Sequence, residues 1–123
     1  MNEQTYDLIV AFIVRNCNST DFLNSCLGVD FEISKKQDST TYILKQKYEK
    51  CDNVGSAVES FCYKNHITPL SVKKLQSAGA CALRLFLQSD YAQIGFGFSP
   101  STMAWMATLN VPIEVSILSW GGA

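Results

Sequence analysis

The sequence predicts an α+β domain: a mostly antiparallel sheet of five to six strands, helices packed on one face, and ferredoxin-like elements. Three observations point there. An apolar run near the N-terminus is greasy on both of its alternating faces, as a strand covered on both sides requires. Several later segments alternate apolar and polar residues with the period of a half-buried strand. Two Ser/Thr-Pro pairs each precede a run of helical periodicity. Hydrophobic residues make up 47% of the 123 and charged residues 17%, so the chain can bury a core, unlike the composition of a disordered one. No linker or low-complexity stretch interrupts it, which predicts a single domain over 1–123.

The elements follow in order. Residues 6–15, YDLIVAFIVR, form a strand in the middle of the sheet. A short helix comes next, with Ser19 or Thr20 as cap. It carries Phe22, Leu23, Cys26 and Leu27 on one face and stops at Gly28. Residues 29–34, VDFEIS, alternate Val29, Phe31 and Ile33 with Asp30, Glu32 and Ser34, as in an edge strand. After the polar turn KKQDS, residues 40–48 are rich in β-formers. The period then changes: Val54, Ala57, Val58, Phe61 and Cys62 mark an amphipathic helix capped by Asp52 or Asn53. Thr68-Pro69 opens a second helix, with a joint near Asn65–Ile67.

Residues 81–88 and 91–98 read as a hairpin about Ser89-Asp90. Phe96 and Phe98 face the core, and Gly95 and Gly97 form a bare strip on the other face. Ser99-Pro100 caps a last helix with the stripe Met103, Met106, Ala107 and Leu109. Trp105 falls off that stripe. In the closing strand, 111–118, Ile113, Val115 and Ile117 point inward.

Ten Lys and Arg against eleven Asp and Glu give a net charge of −1, without the basic surplus of a nucleic-acid binder. Residues 1–7 carry two acids and no base, unlike a signal peptide, and no apolar run approaches the roughly 20 residues of a membrane span. A cytoplasmic location is expected. The five cysteines are odd in number and contain no C-x-x-C pair, so they read as buried thiols.

The GFGF stretch raises the question of a phosphate loop. A dinucleotide fingerprint needs a third glycine where Pro100 stands, and a Walker loop needs a lysine that this region lacks. Cys62 and His66 are four residues apart, the spacing at which a thiol and its base meet on a helix. His66 is the only histidine, so neither a triad nor a zinc site is completed. These absences predict no enzyme, no cofactor and no metal. The candidate partner-binding residues are the acids Asp30, Glu32, Asp38, Glu49 and Asp52, suited to a basic partner, and the aromatic anchors Trp105 and Trp120.

Leu27-Gly28-Val29 and Phe98-Ser99-Pro100, with the hairpin, capped helix and alternating last strand, resemble a family of small bacterial α+β domains of unknown function. The resemblance implies a small stand-alone binding protein of the immunity-protein kind, encoded beside a toxin. The expected function is therefore a protein-binding module, an inhibitor that occludes a toxin or other protein partner, present as a monomer or homodimer. The alternative is a small-molecule or nucleotide-sensing domain with its ligand beside Gly95 and Gly97.

Overall fold

A computed structural model describes residues 6–15, 32–36, 39–77, 79–89 and 96–119. The described chain is α+β, with three helices and one mostly antiparallel sheet. The strands are β1 (Tyr6–Arg15), β2 (Glu32–Lys36), β3 (Ser39–Cys51), β4 (Ala80–Ser89) and β5 (Ile113–Ser119). The helices are α1 (Val54–Lys64), α2 (Pro69–Gln76) and α3 (Pro100–Leu109). The sheet order is β2-β3-β1-β4-β5. All pairings are antiparallel except β4 with β5.

The doubly apolar strand is indeed central: β1 lies between β3 and β4. Its register sets Leu8 beside Leu87, Val10 beside Leu85 and Phe12 beside Leu83. These six side chains are fully buried, each worth about 1.5–3 kcal/mol in removed apolar surface. The same core takes Val54, Val58, Phe61 and Cys62 from α1, Val72 and Leu75 from α2, and Met106 and Leu109 from α3. The three described helices thus share one face of the sheet.

The helix boundaries follow local chemistry. Asn53 caps α1 by accepting from the Ser56 amide at 3.0 Å. Thr68 and Ser71 form a reciprocal capping box on α2, with Pro69 in the first turn. Ser99 caps α3 by accepting from the Thr102 amide at 3.2 Å. The α1–α2 joint is a Schellman turn: the Ile67 amide donates to the Cys62 carbonyl at 2.8 Å and the His66 amide to Tyr63 at 3.3 Å. His66 sits there in the left-handed region, at φ 58°. Ile67 follows and is buried.

Four expectations change. First, β4 has β1 on one side and β5 on the other, which leaves no free edge for a hairpin partner over 83–88. Residues 96–98 accordingly are not strand; 91–95 lie outside the described residues. The closing unit is instead β4-α3-β5, a helical crossover joining adjacent parallel strands, and not the ferredoxin-like hairpin arrangement. Second, the buried stripe of α3 is Thr102, Met106 and Leu109, with Trp105 half-buried beside it. Met103 and Ala107 point outward. Third, β2 runs on through Lys35 and Lys36, into the expected polar turn; 29–31 lie outside the described residues, and β2 is an edge strand of the described sheet. Fourth, Ile113, Val115 and Ile117 are not enclosed: they are 36%, 45% and 51% exposed. The short helix of 19–27 falls outside the described residues.

On the face opposite the described helices, Arg15 and Arg84 converge on Glu114. Arg84 donates to Glu114 Oε1 through Nη2 at 2.9 Å and Nε at 3.2 Å, and Arg15 Nη2 donates at 3.2 Å. The β1 and β4 registers put Ala80 and Ala82 beside Arg15 and Ile13, small residues that leave Arg15 room to cross β4. The cluster ties β5 to the rest of the sheet. The two guanidiniums hold the Glu114 carboxyl below its ordinary value.

Candidate functional site

Two surfaces stand out. The first is a cleft of about 450 Å³ where the N-termini of α1 and α3 meet, lined on one side by Phe96, Gly97 and Phe98. The caps Asn53 and Ser99 stand on its walls with Ser56 and Ser101, and Asp52 and Glu59 add carboxylates. Thr102 Oγ1 donates to Glu59 Oε2 at 3.4 Å, bridging the two helices. Phe96 and Phe98 make an edge-to-face pair, centroids 5.8 Å apart, and both pack against the core. They reach it from an irregular segment rather than a strand. Gly97 is exposed, and a Cβ placed on it would meet nothing within 4 Å. Gly95 lies outside the described residues. The Tyr6 phenol on the cleft wall is pushed above its ordinary 10.0 by burial, then by Cys51 and Asp52.

The second surface is apolar. The register of β5 with β4 pairs Ile113 with Leu83, Val115 with Leu85 and Ile117 with Leu87, so these three belong to the helix-bearing face of the sheet. No described helix covers them. Beside Ile113 runs an open groove of about 700 Å³ lined by Phe98, Met103, Met106, Ala107, Val111 and Pro112. Met103 is 50% exposed. The alternation in VPIEVSIL identifies which residues share a face; the position of β5 at an edge of the described sheet leaves that face without a described helix over it.

No protein-family profile, curated protein or solved structure matches the chain. The site therefore rests on geometry alone.

Of the candidate partner-binding residues, the described side chains are those of Glu49, Asp52 and Trp105. Glu49 is exposed and lies 4.0 Å from Lys47, which also approaches Asp7 at 3.9 Å. Asp52 lines the cleft. Trp105 is half-buried against the core, in a small groove with Tyr63, Ile67 and Pro69, and so seals the junction of the three helices. Glu32 occupies the first position of β2. Asp30, Asp38 and Trp120 lie outside the described residues. Met103 and the β5 triplet, expected to face inward, stand exposed, because alternation reports a face but not its cover.

The Cys62–His66 pair does not form a dyad. Cys62 is fully buried, and burial pushes its thiol up to about 12, the reverse of an activated nucleophile. His66 is exposed, outside the helix, and linked to Cys62 only through the backbone turn. Cys81 is likewise buried and Cys51 partly so; Cys17 and Cys26 lie outside the described residues. Among the described residues no group of three or more His, Cys, Asp or Glu side chains is placed to hold a metal ion. Among them too, no helix is long and apolar enough to cross a membrane.

Proposed function

We propose that the chain is a non-enzymatic protein-binding module. The observation that carries this reading is the uncovered apolar face of β5 with Met103 and its groove. Contiguous exposed apolar surface of this kind, rimmed by polar residues, marks protein interaction sites. The inert Cys62 thiol and the separated His66 support a binding role over catalysis. Its most specific form is an inhibitor of the immunity-protein kind, cytoplasmic, that occludes a toxin by laying this face over it.

The test is affinity capture from the native host with wild-type protein and a Met103→Glu variant. Met103 is exposed, so the charge alters the surface and not the core. Wild type is expected to retain a discrete partner that the variant loses. Equal recovery by both, or no partner for either, counts against the reading.

One observation favours a second reading, a small-ligand site in the cleft beside Gly97. Two helix N-termini line the cleft, and their uncapped amides offer donors to a polar ligand, while Asp52 and Glu59 beside them offer acceptors. A thermal-shift panel of nucleotides and carboxylate metabolites checks it. A ligand at one hundred times its Kd stabilises by about 2.7 kcal/mol, and Gly97→Leu should abolish that shift by filling the open space.

A further inference from the structure

We propose that the exposed edge of β5 pairs antiparallel with β5 of a second copy, about a two-fold axis at Val115, joining two sheets into one. This rests on the reading of the β5 face as an interaction surface, and names its partner.

The Leu83 amide donates to the Pro112 carbonyl at 3.0 Å, and Leu83 is the register partner of Ile113. A parallel ladder engages alternate residues of each strand. Pro112, Glu114, Ser116 and Leu118 therefore turn their backbone groups toward β4. Ile113, Val115 and Ile117 turn their amides and carbonyls toward the open edge of the described sheet. A row of such groups is a template for another strand.

The two edges of the described sheet differ in how they are guarded. β2 reads EISKK, with two lysines, the residue type that best discourages edge pairing. β5 reads IEVSILS, with no lysine, no proline and a single charge. That charge is Glu114, already neutralised by Arg15 and Arg84 on the other face. An edge left unguarded beside a guarded one is an edge meant to be covered.

Self-pairing fits this strand. With Val115 on the axis, Val115 meets Val115 of the second copy and Ile113 meets Ile117, twice. All three are hydrogen-bonded pairs made from the outward-facing residues, giving about six backbone hydrogen bonds. On the opposite face Glu114 meets Ser116, whose hydroxyl can donate to it, and no like charges are opposed. Moving the axis one residue back, to Glu114, would bring two carboxylates together. The axis is perpendicular to the sheet, so the helices of both copies lie on one side. Ile117 of the second copy then arrives beside Ile113, at the rim of the Met103 groove. Strand and groove together supply apolar surface toward the roughly 800 Å² per partner of a stable interface.

The test is sedimentation velocity at tens of micromolar, with Val115→Lys and Val115→Cys variants. Wild type is expected at twice the 13.6 kDa of one chain. Val115→Lys should be monomeric with unchanged far-ultraviolet dichroism, since the residue is 45% exposed. Val115→Cys should cross-link to a dimer under mild oxidation, at least several-fold more than wild type or Tyr63→Cys. Monomeric wild type overturns the proposal, as does a dimer that Val115→Lys leaves intact or cross-linking no greater than in the controls. The two readings separate cleanly. A monomeric wild type that still loses a captured partner on Met103→Glu sinks the dimer and keeps the binding module. A dimer with no other partner sinks the occlusion of a toxin and keeps the self-pairing.

Discussion

Replacing His66 by glycine should stabilise the protein, although it removes the only histidine. His66 occupies the residue after the α1 cap at φ 58°, where a Cβ crowds the carbonyl and costs an L-residue about 1–2 kcal/mol. Glycine carries no such cost but loses about 0.5–1 kcal/mol more in backbone entropy on folding. The difference favours glycine by about 0.5–1 kcal/mol. The backbone groups at this position are unchanged by the substitution: the His66 amide still donates to Tyr63, and its carbonyl still accepts from Ser71 Oγ at 2.9 Å. The side chain is exposed, so little packing is lost. The assay is urea denaturation of a graded series, expected to run Gly above Asn, Asn above His, and His above Val, because β-branched residues tolerate this region least. A His66→Gly midpoint below wild type would refute the argument. It would mean that the imidazole makes a stabilising contact outweighing the strain.

Two further predictions concern titratable groups. The Cys62 thiol, buried and held near 12, should not react with a disulfide reagent at pH 8 until urea unfolds the chain; prompt labelling of Cys62 in the folded protein would contradict its burial. Glu114 is held below its ordinary value of 4.5 by Arg15 and Arg84. Its contribution is therefore complete above that value and fades as pH falls through the lower folded one. The cluster is more than a third exposed, so solvent screening limits the effect to about 0–1 kcal/mol. Glu114→Gln should flatten the acid limb of the stability profile below about pH 4.5 while changing little at neutral pH, as thermal melts across pH would show.

Local chemistry and periodicity determined much of this protein by themselves. Tyr6–Arg15 is a central strand because both of its faces are apolar, and no edge position could accept that. Asn53, Thr68 and Ser99 start helices because each places an acceptor over free amides. Phe96 and Phe98 pack against the core whether or not a strand carries them.

Tertiary structure decided the rest, because it concerns what lies beside an element rather than what the element is. Alternation in β4 does not say which strands flank it; β1 and β5 take both sides, and the expected hairpin has nowhere to pair. Alternation in β5 gives Ile113, Val115 and Ile117 one face in common, but whether that face is covered depends on where α3 ends. A four-residue spacing brings Cys62 and His66 together only on a continuing helix, and the turn at Asn65 ends it first. Among the described strands β5 is outermost, so that face lacks a neighbouring strand on one side, and no single strand's sequence records its own place in a sheet.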